Sequence, residues 1–241
     1  MLIIGCTGDN DNSIIPEEPV GYDTLIPLNV GNYWLYNLYD LEPDGSGETP
    51  EKWVFGFIID GTMTRFINGD STICYKLFTC GEDLKPYYDR PLSFEGSKLI
   101  YHNRDGTYYS GIERYDTLKL AFNDLIFPYP VEKEEIVDGH VFYYSTLGNF
   151  LNVHDDAITQ YECISTDSLI STPAGDFNCV VYRMAFVDYP PLFRDEIIFF
   201  IKPGLGIVGM VMMVYHYNLN QYRYINKTLL KSYYLNKEEG G

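Results

Sequence analysis

Histidine and carboxylate side chains crowd together at one place in this sequence, His154-Asp155-Asp156. Groups of this kind can bind a metal ion or exchange protons when they converge in space. Neighbouring residues of a strand point to opposite faces, so His154 and Asp156 could share one side of a sheet while Asp155 could not. A solvated loop between two strands explains the same three residues without any chemistry, and we adopt that interpretation.

The sequence lacks the short motifs that identify common catalytic sites. It contains no GxSxG elbow, no HExxH helix and no phosphate-cradling glycine loop. Serine and cysteine nucleophiles have no partner that the sequence reveals. We therefore predict no catalytic residue, no metal ligand and no cofactor. Hydrolase activity is a weaker hypothesis than a binding or structural role.

Cys6 follows Ile3, Ile4 and Gly5, which is the arrangement of a bacterial lipobox. Only five residues precede Cys6, whereas a secretory signal needs an apolar region of roughly 7–15 residues. We therefore expect the natural start to lie further upstream. A first strand with a buried thiol is the alternative, but the polar run that begins at Gly8 would end such a strand at once. The sequence predicts diacylglycerol on Cys6.

Residues 7–24 hold five acidic residues, two prolines and no lysine or arginine, which is typical of a flexible tether. We assign residues 1–24 to a residual signal sequence, the lipobox and this tether. Residues 25–241 are assigned to a single β-rich domain. A weak internal similarity leaves open two sheet halves that meet near residues 120–135.

Charge restricts the partners of this protein. The formal net charge is -17 at pH 7, and most of it lies outside the tether. Nucleic acids and anionic lipid surfaces bind clusters of lysine and arginine, so we expect no nucleic acid partner. The longest apolar run, Ile207 to Tyr215, is far shorter than the roughly 20 residues of a spanning helix. Membrane attachment is therefore assigned to Cys6, and the oligomeric state is left open.

Tyrosine is the most abundant aromatic residue, with 23 copies against 14 of phenylalanine and 2 of tryptophan. Tyrosine suits a sheet with one wet face, and it also suits a surface that stacks on sugars. We favour the first explanation.

Four cysteines lie beyond the lipobox, at Cys74, Cys80, Cys163 and Cys179, and none forms a CxxC pair. Their spacing therefore does not indicate a zinc ribbon. Cys74 and Cys80 fall on one predicted strand and lie too far apart to bridge each other. We expect buried free thiols, and one disulfide stays open as the alternative.

Short segments rich in tyrosine, phenylalanine, valine and isoleucine predict an antiparallel meander. The predicted strands are residues 33–39, 52–59, 64–68, 71–79, 98–102, 107–112, 141–146, 159–166, 177–186, 196–201, 207–217 and 228–235. Asn68-Gly69, Asp105-Gly106 and Pro203-Gly204 supply turn residues that tolerate positive φ. The best helix candidate is the segment from Leu118 to Ile126, which Pro128 would end.

Three segments carry a resemblance to a known group of proteins. They are IPLNVGNYWLY at 26–36, ISTPAGDFNCVVY at 170–182 and FFIKPGLGIVGM at 199–210. With the lipobox, they resemble uncharacterised secreted lipoproteins of Gram-negative, gut-type bacteria, in which PLxVGNxWxY, TPAGxFxCxxY and PGxGxV motifs recur in this order. The matched residues are Pro27, Leu28, Val30, Gly31, Asn32, Trp34, Tyr36, Thr172, Pro173, Ala174, Gly175, Phe177, Cys179, Tyr182, Pro203, Gly204, Gly206 and Val208. Lys202, Leu205 and the long middle at 80–135 depart from the group.

The resemblance implies a mainly β fold. It implies a curved antiparallel sheet, an open half-barrel similar to lipoprotein-carrier folds, with at most one or two short helices. The motif residues are expected to be structural, since proline fixes φ and glycine accepts positive φ in a turn. These structural residues are Trp34, Pro173, Gly175, Pro203, Gly204 and Gly206.

From these observations we expect a non-enzymatic lipoprotein of the cell envelope, anchored in the outer membrane and facing the periplasm or the cell surface. Its concave, aromatic-rich sheet face would bind an apolar, amphipathic or glycan ligand. The alternative is a structural or accessory subunit of an outer-membrane assembly. A binding module should show aromatics with a few convergent polar groups, whereas an accessory subunit should show a flat apolar patch.

Aspartate followed by a hydroxyl residue and then an aliphatic residue or threonine occurs four times. This triplet resembles an O-glycosylation signal of some secreted bacterial proteins, and a glycan is tolerated in a polar turn or tether. Asp-Ser and Asp-Thr are also common turn and cap pairs, which is the alternative explanation. The candidate glycosylation sites are Thr24, Ser71, Thr117 and Ser168.

Overall fold

The structure is a computed structural model that describes residues 24–44, 46–49, 53–86, 97–114, 117–139, 159–186, 196–216 and 220–236. Within these ranges the regular secondary structure is entirely β, so no helix that could cross a membrane is found there. The prediction of a mainly β protein with a curved antiparallel sheet is confirmed.

In the described part of the chain, twelve strands form one sheet, and each hydrogen-bonded pair of neighbouring strands is antiparallel. The order across the sheet is β6-β5-β4-β3-β2-β1-β12-β11-β10-β9-β8-β7. The strands are β1 (Tyr33–Asp40), β2 (Trp53–Ile67), β3 (Asp70–Cys80), β4 (Ser97–Asn103), β5 (Gly106–Arg114), β6 (Thr117–Pro128), β7 (Ile136–Gly139), β8 (Thr159–Thr172), β9 (Gly175–Phe186), β10 (Glu196–Lys202), β11 (Gly206–His216) and β12 (Gln221–Tyr234).

Alternating burial along strands such as β8 and β10 separates an inner face from an outer face. Strand β10 illustrates this, because Ile197, Phe199 and Ile201 are buried in the main core while Ile198 and Phe200 between them are only half-buried. Side chains alternate between the two faces of a strand. The inner face of the curved sheet therefore holds the hydrophobic core.

The two edge strands, β6 and β7, approach each other, so the curved sheet is nearly closed. A Cβ atom added to Gly139 of β7 would lie 3.1 Å from the Cβ of Asp124 of β6. The ring of Phe127 at the end of β6 contacts the rings of Tyr161, Tyr182 and Phe199, with centroids 5.2 to 5.9 Å apart. Phe127 thereby connects β6 to β8, β9 and β10.

The helix predicted at Leu118–Ile126 is wrong, because this segment lies within strand β6. Leucine and phenylalanine alternate with lysine, alanine and asparagine from 118 to 123, which is a strand period that the sequence analysis overlooked. Pairing with β5 along its length then supplies the backbone hydrogen bonds. The short strand β7 was not predicted, and the predicted strand 141–146 lies outside the described residues.

The segment that precedes β1 belongs to the core. Leu25, Ile26 and Leu28 are buried in the main hydrophobic cluster. The backbone amide of Gly204, in the β10–β11 turn, donates a hydrogen bond to the carbonyl oxygen of Thr24 at 2.9 Å. Residues 24–30 are therefore fixed against the sheet.

His102 of β4 also holds this segment. Its Nε2 donates a hydrogen bond to the carbonyl oxygen of Ile26, and its Nδ1 lies 3.3 Å from the hydroxyl of Thr107. Burial is the main cause that lowers the pKa of His102. The neutral imidazole therefore acts as a structural link between β4 and the segment before β1.

Two of the three sequence motifs meet in space. The indole Nε1 of Trp34 donates a hydrogen bond to the carbonyl oxygen of Leu205 at 2.6 Å. The hydroxyl of Tyr36 donates a hydrogen bond to the carbonyl oxygen of Ile207 at 2.8 Å. Gly206 has φ +103°, and an added Cβ would lie 3.3 Å from Nε1 of Trp34. The first and third motifs thus form one packed contact between β1 and the start of β11.

The second motif forms the β8–β9 turn. Gly175 has φ +133°, the hydroxyl of Thr172 donates to its carbonyl oxygen at 3.0 Å, and the amide of Ala174 donates to the carbonyl oxygen of Leu230 at 3.1 Å. Pro173 occupies the turn between them. The turn therefore closes the hairpin and also attaches it to β12.

The four cysteines of the domain are unpaired and buried, at Cys74, Cys80, Cys163 and Cys179. This agrees with the expected free thiols. Burial raises the pKa of Cys80 and of Cys179 to about 12, so both thiols are protonated at neutral pH.

Candidate functional site

Three polar side chains of β12 face the core. The cross-strand pairs are Arg223 with Val214, Asn226 with Met212 and Thr228 with Met210. Both methionines belong to the main core, and Val214 packs against it. Directly opposite residues of antiparallel strands share one face. We call Arg223, Asn226 and Thr228 the β12 polar row.

A bulge in β12 creates the spacing of this row. The register between β11 and β12 shifts between Met212 and Met213, so that Ile225 has no opposite residue. A bulge inserts one extra residue and re-aims the side chains beyond it. Arg223 therefore lies on the same face as Asn226 although three positions separate them.

Each member of the β12 polar row has a buried polar atom without a hydrogen-bond partner: Nε of Arg223, Nδ2 of Asn226 and Oγ1 of Thr228. Asn226 is 6% exposed and Thr228 is 2% exposed. An unsatisfied buried polar group costs about 1–3 kcal/mol. Three such atoms on one strand face require an explanation, such as a ligand or an ordered water.

The walls around the row are apolar and adaptable. Met210 and Met212 flank it on β11, and Leu38, which is buried, lies opposite Thr228 on β1. Methionine has a flexible, polarizable side chain that adjusts to different shapes. The polar row is therefore packed among apolar side chains that can rearrange.

Lys98 of β4 is a further inward-facing cation. It lies opposite Leu77, a core residue, and its Nζ lies 5.9 Å from the centre of the Phe57 ring. Burial lowers the pKa of Lys98 to about 8. The attraction between an ammonium group and an aromatic face offsets part of the desolvation of this charge.

Most aromatic rings of the interior serve the fold. The largest fully buried aromatic side chains are Tyr36, Tyr109, Tyr161, Tyr182, Phe127 and Phe199. The hydroxyls of Tyr36 and Tyr182 donate to backbone carbonyl oxygens. Tyrosine here fills the inner face while its polar end is satisfied. The rings that contact Phe127 therefore pack within the core.

The candidate glycosylation sites are spread over the molecule. Thr24 is half-buried where it joins the core, Ser71 is exposed next to the β2–β3 turn, and Thr117 begins β6. The hydroxyl of half-buried Ser168 donates to that of Ser165 at 2.9 Å. Glycosylation at these residues stays a prediction.

Several residues singled out in the sequence lie outside the described part of the chain. These are Cys6 and the His154-Asp155-Asp156 group. Within the described ranges, no group of three or more histidine, cysteine, aspartate or glutamate side chains could hold a metal ion.

Exposed apolar side chains occur on the β2–β3 hairpin. Phe66 is 78% exposed and Ile73 is 58% exposed. Ser71 lies opposite Phe66 and Thr64 opposite Ile73, so the two apolar residues are diagonal neighbours on one face. Two side chains form a small patch compared with the flat surface expected of an accessory subunit.

Sequence reasoning missed the β12 polar row. The predicted last strand began at Thr228, whereas β12 begins at Gln221. The methionines at 210, 212 and 213 were a usable signal for an adaptable wall, but the bulge that turns Arg223 inward depends on the pairing with β11.

No protein-family model and no curated protein matches this chain. Two crystal structures are similar in fold. One is a proposed exported protein with a YmcC-like fold from Bacteroides fragilis, with 13% identity and a TM-score of 0.46, over 87% of this chain and 98% of that one. The other is a proposed lipoprotein from Parabacteroides distasonis, with 15% identity and a TM-score of 0.39, over 89% of this chain and 100% of that one.

Proposed function

We propose that this protein is a non-enzymatic lipoprotein of the cell envelope that binds an amphipathic ligand on the concave face of its sheet. The polar end of the ligand would accept hydrogen bonds from the β12 polar row. The apolar part would lie along Met210, Met212 and Leu38. The observation that carries this proposal is the set of unpartnered buried polar atoms in the row.

The chemistry of the row favours oxygen-bearing head groups. Nε of Arg223 and Nδ2 of Asn226 only donate hydrogen bonds, and the Thr228 hydroxyl can donate as well. A carboxylate, ester or hydroxyl oxygen can accept from all of them. A ligand without such atoms would leave the donors unsatisfied, and a site of this kind discriminates strongly against it.

The test uses cis-parinaric acid, a fluorescent fatty acid, with the wild-type protein and the Thr228→Val/Asn226→Leu variant. We expect the wild type to bind the probe saturably, and the variant to bind it at least about tenfold more weakly, because each lost hydrogen bond contributes about 1 kcal/mol. The unliganded variant should unfold at an equal or higher urea concentration, since apolar groups of similar shape replace unsatisfied polar ones.

Two results would contradict the proposal. One is a wild-type protein that neither binds cis-parinaric acid nor releases a lipid on denaturation. The other is a variant that is destabilised without ligand, because that would indicate an ordered water network as the partner of these atoms. Ser71→Val on the exposed start of β3 is a control for the removal of a hydroxyl and should leave binding unchanged.

The anchoring part of the proposal depends on Cys6. When the protein is expressed from its own gene in its native host, we expect it to fractionate with membranes and to carry diacylglycerol on Cys6. Cys6→Ser should release it into the soluble fraction, because no thiol remains for acylation. Thr7→Ser, next to it, should stay with the membrane. Mass spectrometry that finds an unmodified Cys6 in the membrane fraction would refute this anchor.

A further inference from the structure

A second concave surface lies outside the core, between the β1–β2 loop and the start of β12. It is a groove of about 550 Å³, and we call it the tyrosine groove. Its lining includes Glu42, Asp44, Ser46, Gln221, Tyr222 and Tyr224. Small-molecule sites commonly fall between about 300 and 1,000 Å³. The groove therefore has a volume within the range of small-molecule sites.

Two partly exposed tyrosines line this groove. Tyr222 is 39% exposed and Tyr224 is 38% exposed. Their partners in β11 are Tyr215 and Met213, so both lie on the outer face, opposite to the β12 polar row. The rings of Tyr215 and Tyr222 meet edge to face, with centroids 5.1 Å apart, which limits the orientations of Tyr222.

The described residues of the loop that form the other wall are held by backbone hydrogen bonds. The amide of Leu41 donates to the carbonyl oxygen of Ile225 at 2.9 Å, and that of Tyr224 donates to the carbonyl oxygen of Pro43 at 3.3 Å. The amide of Glu42 donates a hydrogen bond to the carbonyl oxygen of Gly47 at 3.0 Å. Because this wall is already ordered in the free protein, less conformational entropy is lost when a ligand binds.

Polar groups surround the two rings. Ser46 donates its amide to the Asp44 carboxylate at 2.9 Å, and its hydrogen bonds hold the pKa of Asp44 below the usual range. Glu42 and Gln221 add a carboxylate and an amide, and Arg223 contributes to the same lining. Hydrogen-bonding groups beside exposed aromatic faces suit a ligand with hydroxyl groups on an apolar ring face.

Charge and polarity narrow the class of ligand. Two carboxylates against one guanidinium make the lining acidic, and the whole chain has a net charge of -17. An anionic sugar would be repelled by this field. An aliphatic ligand would have to desolvate the carboxylates without hydrogen bonds in return. A neutral saccharide avoids both penalties.

We propose that the tyrosine groove binds a neutral saccharide, with sugar rings stacked on Tyr222 and Tyr224 and sugar hydroxyls donating to Glu42 and Asp44. Tyr222 and Tyr224 lie on the opposite face of β12 from Asn226 and Thr228, whereas Arg223 both lines the groove and belongs to the β12 polar row. The saccharide contacts proposed here do not involve Arg223, so either proposal can fail without the other.

The test is a titration of the full chain with maltohexaose, cellohexaose and xylohexaose, and with hexagalacturonic acid as the acidic counterpart, followed by calorimetry. We expect saturable binding of at least one neutral hexasaccharide and weaker binding of the acidic one. Tyr222→Ala/Tyr224→Ala should weaken the neutral binding by about tenfold or more through the loss of both stacking surfaces.

Controls separate this site from general loss of structure and from the site on the inner face. Tyr234→Ala removes another exposed tyrosine, away from the groove, and should leave saccharide binding unchanged, as should Thr228→Val/Asn226→Leu. Circular dichroism checks that each variant is folded. No saturable binding of any neutral member, tighter binding of hexagalacturonic acid, or unchanged binding by the double tyrosine variant would overturn the proposal.

Discussion

Gly106→Ala should lower the free energy of unfolding by about 3–5 kcal/mol, one of the largest effects of any single methyl group in this protein. The added Cβ would lie 2.2 Å from the carbonyl oxygen of Phe127 and 2.8 Å from the Cα of Pro128. Both atoms belong to the backbone of the neighbouring strand and cannot rotate away. Gly106 also has φ +141°, which is unfavourable for alanine.

Gly175→Ala is the matched control for this substitution. Gly175 has φ +133°, close to that of Gly106, but an added Cβ would meet only the far end of the Phe177 ring at 3.8 Å. Only the backbone strain remains in this variant. We therefore expect Gly175→Ala to lower the free energy of unfolding by about 1–3 kcal/mol. Urea unfolding followed by tryptophan fluorescence measures both. Equal losses in the two variants would show that the backbone approach of β5 and β6 at Gly106 is looser than described.

Local signals in the sequence were sufficient for the fold class and most strands. Alternating apolar residues and Asn-Gly or Asp-Gly turns predicted the β2–β3 and β4–β5 hairpins, and Asn68, Gly69 and Gly106 have the expected positive φ. The sequence analysis predicted β2 as two strands, residues 52–59 and 64–68, with Asp60 and Gly61 in the gap between them. In the structure the sheet register shifts there and the strand continues, because β3 pairs on both sides of the irregularity.

The residue types of the candidate sites could be predicted from the sequence, but their positions and exposure could not. The abundance of tyrosine correctly pointed to aromatic rings on a sheet, but the sequence did not distinguish buried Tyr182 from exposed Tyr222. That difference depends on which strands close the sheet and on the bulge at Ile225. The β12 polar row depends on the same bulge, since a regular strand would place Arg223 on the face opposite to Asn226.

Phe127→Ala should destabilise the protein by about 3–5 kcal/mol, because a large buried ring leaves a cavity among its neighbours. The ring is fully buried and contacts Tyr161, Tyr182 and Phe199. These contacts cross the gap between the two edge strands, so their loss should loosen β6 and β7 first. Relative to the wild type, amide hydrogen exchange in Phe127→Ala should accelerate more in β7 than in β1 and β12.

Phe66→Ala makes the same chemical change on an exposed side chain and should alter stability by no more than about 0.5 kcal/mol. β12 lies near the middle of the strand order, far from the edge strands. Phe127→Ala should therefore still bind cis-parinaric acid under conditions where it remains folded. If binding were lost together with protection of β7, closure of the sheet would itself be part of the ligand site. If β7 and β12 lost protection equally, Phe127 would support the whole sheet rather than its closure.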